Sequence, residues 1–79
     1  MTDSRIRQLH QQADLLLNTN RLTEARALYD QICALDDSDA EAFMMRGALD
    51  GEMGQVEDAL QSLNEAIRLD PDYADAYHT

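Results

Sequence analysis

Apolar residues recur along this chain at intervals of three and four, the spacing of one face of an α-helix. The first stripe runs through Leu9, Ala13 and Leu16 and stops at the polar run 18–20, and a later stripe stops at Gly54. β-Branched residues are scarce, so there is little from which to build a sheet. The pattern predicts helices at 4–18, 21–35, 39–53, 55–69 and 72–79.

Start and stop signals support these boundaries. Ser38 and Glu41 have the spacing of a capping box, in which the Ser38 hydroxyl accepts a bond from the Glu41 amide and Glu41 reaches back. Gly54 can supply the left-handed residue that ends a helix. Pro71 halts the helix before it, and Asp72 is a suitable cap for the next one.

The chain repeats itself when it is shifted by 34 residues. Several positions are identical in this frame: Leu15 and Leu49, Ala25 and Ala59, Leu35 and Leu69, Asp36 and Asp70. Others agree in size and polarity, as when Leu9 falls on Phe43 and Ala13 on Gly47. The agreement holds in one frame throughout, so the sequence predicts two similar pairs of helices.

Two antiparallel helices in each 34 residues, with small residues at fixed points, resemble the tetratricopeptide repeat. The resemblance covers 6–39, 40–73 and the start of a third unit at 74–79. The residues that carry it are Leu9, Ala13, Ala25, Tyr29, Ile32 and Asp37 in the first unit, and Phe43, Gly47, Ala59, Leu63, Ala66 and Pro71 in the second. It implies an all-α fold, a right-handed stack of helical hairpins, in which the small residues mark the closest helix contacts.

The sequence departs from the family pattern at three places. Asp37 stands where the family favours proline, so we expect a less rigidly set join between the units. Arg46 and Asp50 stand where large apolar residues are common, and their four-residue spacing predicts an ion pair on one helix face. The alternatives for Arg46 are a stem packed along the core and a role in binding a partner.

Composition and charge exclude several functions. The chain is 44% apolar and 28% charged, which is typical of a globular protein, and its net charge is −10 with no lysine. Such a surface repels phosphate backbones, so we expect no nucleic-acid partner. The acidity is interpreted as solubility, a basic partner or adaptation to high salt. No apolar run could span a bilayer, no signal peptide is evident and the single cysteine can form no internal disulfide, which together favour the cytoplasm.

No constellation of residues in the sequence predicts an active site. His10 and Asp14 share a helix face and could begin a metal site, but two ligands are too few, and a polar surface pair is the simpler interpretation. Cys33 lies beside Ile32 on an apolar face and is expected to be a core residue rather than a nucleophile. We therefore predict no enzyme activity, catalytic residue, metal or cofactor.

By the resemblance, the first helix of each pair lines a concave groove that binds a protein partner. The predicted groove residues are Arg7, His10, Gln11, Asp14, Leu17 and Asn18 from the first unit, and Glu41, Met44, Met45, Ala48 and Glu52 from the second. Met44 and Met45 either contact a partner or pack within the chain. The family's clamp for an acidic peptide terminus would fall on His10, Asp14, Met45, Asp75 and Thr79, where carboxylates would face a carboxylate, so that function is rejected.

The predicted function is a protein–protein interaction scaffold that holds a peptide or helix, basic or apolar, in this groove. Two alternatives remain open: a structural or oligomerising segment, and an N-terminal appendage of a larger enzyme such as a transferase. The chain is interpreted as an N-terminal fragment of a longer protein. An apolar end at helix 55–69 and residues 72–79 also predicts a homodimer, formed through that end.

Overall fold

A computed structural model describes residues 4–72 of the chain. Four α-helices span this part: α1 (Ser4–Asn18), α2 (Leu22–Leu35), α3 (Ala40–Glu52) and α4 (Val56–Leu69), and residues 4–72 contain no strand. None of these helices is both long and apolar enough to cross a membrane. The predicted fifth helix, apart from its first residue, and the partial third repeat at 74–79 lie outside the described residues.

The helices pack in chain order. α1 pairs with α2, α3 pairs with α4, and α2 packs against α3 to join the two pairs, which we call the first and second hairpins. The buried core runs through both hairpins and consists of Ala13, Ala25, Tyr29, Ile32, Cys33, Ala42, Phe43, Leu49 and Ala66. The predicted fold, a stack of antiparallel helical hairpins, is confirmed.

Small residues lie where the helices approach most closely. Ala13 and Ala25 are fully buried between α1 and α2. A Cβ atom added to Gly47 would lie 2.8 Å from Leu63 Cγ and 3.0 Å from the Ala59 carbonyl oxygen. Glycine is therefore required at this point in α3, because a larger residue would push α4 away.

The two hairpins turn in the same way. Asn20 has a φ of 61° and Gly54 a φ of 81°, and these two residues correspond in the repeat frame. In each turn the following amide reaches back over the end of the helix, from Arg21 to the Leu16 oxygen and from Gln55 to the Asp50 oxygen, both at 2.8 Å. This bond closes the end of the first helix in each hairpin.

The two hairpins also end in the same way. Asp36 has φ and ψ of −142° and 97°, and Asp70 has −143° and 95°. Each carboxylate accepts a bond from the amide two residues on, that of Ser38 at 3.0 Å and that of Asp72 at 3.1 Å. These bonds, with that from the Ser38 hydroxyl, hold the pKa of Asp36 below its usual value. The join after α2 thus reaches the geometry of the Pro71 join with Asp37 in place of proline.

The predicted capping box at α3 is wrong. The cap is Asp39, whose Oδ1 accepts a bond from the Ala42 amide at 3.1 Å. The Ser38 hydroxyl instead donates to Asp36 Oδ1 at 2.6 Å. A nearby carboxylate is a stronger acceptor for that hydroxyl, so Ser38 is drawn back into the turn and the helix begins at Ala40.

Candidate functional site

The predicted groove residues divide into two classes by exposure. The polar ones on α1 and α3, together with Ala48, are exposed: Arg7, Gln11, Asp14, Asn18, Glu41, Ala48 and Glu52. His10 and the apolar ones are partly buried: His10, Leu17, Met44 and Met45. The exposed charges of the predicted groove are therefore three carboxylates and one arginine, and its larger apolar side chains are partly buried.

His10 connects α1, the first helix of the first hairpin, to the start of α3, the first helix of the second. Its Nε2 lies 2.8 Å from Asp39 Oδ2, and its Nδ1 lies 3.6 Å from Glu41 Oε2. The ring meets the Tyr29 ring edge to face, with centroids 5.9 Å apart. The sequence predicts a surface pair between His10 and Asp14 on the same helix, but the close partner of His10 is the cap of α3. That partner could not be found from α1 alone.

The buried Tyr29 phenol has a raised pKa, to which nearby carboxylates contribute. Tyr29 is 1% exposed, and burial raises its pKa to about 12, with smaller contributions from the negative charges of Asp14 and Glu41 and a hydrogen bond to Asp14. The phenol is thus a neutral donor beneath the acidic surface. Asp14 and Glu41 add to the effect of burial because both are negatively charged and lie near the phenol.

Met44 and Met45 pack within the chain, which is one of the two alternatives predicted for them. Both pack against the buried core, and both are partly rather than fully buried. Leu17 does the same from α1. The thioethers therefore support the core and present the remainder of their surface outward, where a flexible side chain can adapt to a contact.

The junction between α2 and α3 is held by charged groups. Arg26 Nε donates to Asp50 Oδ1 at 2.9 Å, and Asp50 is fully buried. Arg46 Nη1 donates to Asp30 Oδ1 at 2.8 Å, and its Nε donates to Ser62 Oγ at 3.0 Å. The chain of bonds thus connects α2, α3 and α4.

The predicted pair between Arg46 and Asp50 is wrong. Both residues lie on α3 at helical spacing, but each reaches a partner on α2, and Arg46 also lies 5.1 Å from the centroid of the Phe43 ring. A buried carboxylate needs a close cation, and Arg26 on the packed neighbour supplies it more directly than Arg46 does. The spacing rule on which the prediction rested applies to a helix in isolation.

Cys33 is a core residue, as the sequence predicted. It is 6% exposed, and burial raises its pKa to about 11, so the thiol is protonated at neutral pH. Within residues 4–72, no three His, Cys, Asp or Glu side chains come together as metal ligands would. The Cys33 thiol therefore lacks the thiolate character and the access that a nucleophile needs.

A surface that the sequence analysis missed lies on the opposite side of the first hairpin from α3. Two adjoining clefts of about 480 and 490 Å³ open between α1 and α2, and Gln12 lines both. We call them together the outer cleft; it is lined by Arg5, Gln8, Leu9, Gln12, Leu15, Leu16, Glu24, Ala27, Leu28, Gln31, Ala34 and Leu35. Leu15 is 66% exposed although Leu49, its match in the repeat frame, is 4% exposed. That match was visible in the sequence, but the difference in exposure was not.

Comparison with known families agrees with the repeated geometry. The TPR repeat family model matches residues 51–79 of the chain, which include all of α4. Turns and helix ends in the described part coincide in one frame across both hairpins. Residues 51–79 are thus similar to the TPR repeat family, and the repeated turns of the described part agree with that likeness. The described helices form a stack of helical hairpins, which is consistent with this likeness, and repeats of the TPR family generally mediate protein–protein interactions. No curated protein matches the chain as a relative.

Proposed function

We propose that this chain is an interaction scaffold that holds a basic, partly apolar peptide or helix against the concave face of α1 and α3. The observation that carries the proposal is the pairing of exposed carboxylates with partly exposed thioethers. Asp14, Glu41 and Glu52 supply negative charge, and Met44 and Met45 lie between Glu41 and Glu52 along α3. Arginine or lysine side chains would meet the carboxylates while an apolar residue rests on the methionines.

Selectivity for a cationic partner follows from the electrostatics. The net charge of −10 favours association with basic segments at long range, and the carboxylates around Tyr29 concentrate the negative potential at the start of α3. Affinity would then depend on the apolar contact, since exposed ion pairs contribute little by themselves. The expected role is binding without catalysis, in the cytoplasm.

An alternative function, a structural or oligomerising segment, is favoured by a different surface. Val56 and Leu60 on α4 are 61% and 55% exposed, and both would be covered in a self-associated protein. The predicted homodimer through this end of the chain belongs to this alternative. It does not use the concave face, so the two proposals can be tested separately. Attachment to a catalytic domain stays a further prediction.

A screen of random peptides against the 79-residue chain tests the proposed function. We expect enrichment of peptides that combine Arg or Lys with apolar residues. The double variant Glu41→Gln/Glu52→Gln should weaken their binding several-fold and flatten its dependence on salt, because two of the attracting charges are removed. Isothermal titration of one enriched peptide across salt concentrations measures both effects.

The matched control removes two charges elsewhere. Glu57→Gln/Asp58→Asn changes the net charge by the same amount in the first turn of α4 and should leave peptide binding nearly unchanged. Enrichment of acidic peptides would contradict the proposal. Equal weakening by both double variants would show that only the net charge matters and that the concave face is not the site.

A further inference from the structure

The outer cleft is the counterpart of a surface that the fold already covers in the second hairpin. In the repeat frame, Leu15, Leu16 and Leu28 correspond to Leu49, Asp50 and Ser62. All three counterparts are buried, at 4%, 0% and 3% exposure. α2 packs on the second hairpin there, whereas the same face of the first hairpin is an open apolar cleft. A helix that packed on the first hairpin as α2 packs on the second would fill this cleft.

The side chains of the α2–α3 junction show which helix fits. Arg26 and Asp30 of α2 hold Asp50 and Arg46 of α3. Shifted by one repeat, the two α2 residues become Leu60 and Asn64 of α4. Shifted back by one repeat, Asp50 and Arg46 of α3 become Leu16 and Gln12 of α1.

Both ion pairs are therefore replaced by matched uncharged pairs. Where Arg26 meets Asp50, Leu60 would meet Leu16, two apolar side chains of equal size. Where Asp30 meets Arg46, Asn64 would meet Gln12, two amides that can bond to each other. All four charges of the junction are lost together, two on each side. Glu24, which also lines the cleft, lies 3.8 Å from Arg21 Nη1 of its own chain. Leu60 is 55% exposed and Asn64 is exposed, so both are available on α4.

We propose that the outer cleft binds α4 of a second copy of this chain, in the arrangement by which α2 packs on the second hairpin. The contact is head to tail, because the donor surface and the receiving surface are different. Each added copy then presents a new α4, so the assembly is open-ended rather than a closed pair. Because the contact is uncharged, two chains with a net charge of −10 each can approach one another at this surface. Association strengthens as salt screens the remaining repulsion between the chains.

Two single variants test this contact because each places one charge of the α2–α3 junction at the corresponding site. Leu16→Asp and Leu60→Arg should each weaken self-association at least ~100-fold, since each leaves a charge buried without a partner. In an equimolar mixture, association should return, because the arginine introduced on α4 of one variant meets the aspartate introduced in the outer cleft of the other. Sedimentation equilibrium of the full chain, alone and mixed, measures this across protein and salt concentration.

The two variants change the net charge in opposite directions, so a shared effect cannot come from overall charge. Gln11→Asp is the matched control for Leu16→Asp: it adds the same charge to α1 at an exposed position outside the cleft and should leave association nearly unchanged. Circular dichroism establishes that each variant is folded. A wild-type chain that is monomeric at all concentrations and salts would overturn the proposal. Loss of association in Leu60→Arg but not in Leu16→Asp would also overturn it, and would indicate that α4 contacts a surface other than the outer cleft.

Discussion

The junction between α2 and α3 is held by two arginines and two aspartates, whereas the outer cleft and the outward face of α4 carry leucine, glutamine and asparagine at the corresponding positions. The backbone around them is nearly the same, since both hairpins share their turns and their helix ends. The same backbone geometry therefore carries buried charge at one surface and uncharged side chains at the other. The ion pairs do not make the α2–α3 junction more stable than an uncharged contact would be, because burying ions costs free energy.

Removing one partner of the junction should give the largest effect on stability. Arg26→Leu leaves the fully buried Asp50 carboxylate without its cation, and Asp50 Oδ2 makes no hydrogen bond within the described residues. We expect a loss of about 3 kcal/mol in the free energy of unfolding, measured by urea denaturation. The same experiment on Arg26→Leu/Asp50→Leu should recover most of it, because the junction then has the chemistry of Leu60 and Leu16. A double variant as unstable as the single one would show that the two surfaces are not equivalent.

Alkaline pH should distinguish α2 from α4. Tyr29 of α2 has a pKa raised from 10.0 to about 12, and its counterpart in α4 is Leu63, which does not titrate. A raised folded-state pKa gives stability that is fully present below pH 10 and is lost as the pH rises to 12, by roughly 2 kcal/mol. Cys33 adds a similar loss from pH 9 to 11.

Urea denaturation in steps from neutral pH to 12 measures these losses. Tyr29→Phe should remove the loss of stability that Tyr29 causes between pH 10 and 12. Cys33→Ala should remove the loss that Cys33 causes, which begins at pH 9. If Tyr29→Phe leaves the pH dependence as it was, the phenol is not the group that titrates.

The turns should give the smallest effect. Asn20 and Gly54 both have positive φ, a conformation that costs most residues roughly 1–2 kcal/mol, glycine nothing and asparagine little. Asn20→Ala and Gly54→Ala should each lower the free energy of unfolding by about 1 kcal/mol. Asn20→Gly and Gly54→Asn should change it by only a few tenths of a kcal/mol. Scanning calorimetry of the four variants compares the two turns directly. An alanine variant as stable as the wild type at either turn would contradict the shared geometry.

The sequence was sufficient to predict helices and repeats because both depend on local spacing. The boundaries of the four described helices agree with the prediction within one residue, and Gly47 lies against Leu63 and Ala59 of α4. The partners of His10 and Asp50 could not be predicted, because each lies on another helix and depends on how the hairpins pack. The cap of α3 was misplaced for a related reason: Ser38 had a competing acceptor in Asp36. Exposure of Leu15 follows from packing alone.

Asp39 has a consequence for how the two hairpins unfold. One of its carboxylate oxygens holds the first turn of α3 and the other holds His10 of α1, although α2 lies between them in the chain. In a linear array each repeat is coupled only to its neighbour through the packed helices, and repeats can melt one after another. Here Asp39 adds a second link between the two hairpins besides the packing of α2 on α3, because it joins the first turn of α3 to His10 of α1. Fraying of α1 therefore reaches α3 without passing through α2, which increases the cooperativity with which the two hairpins melt.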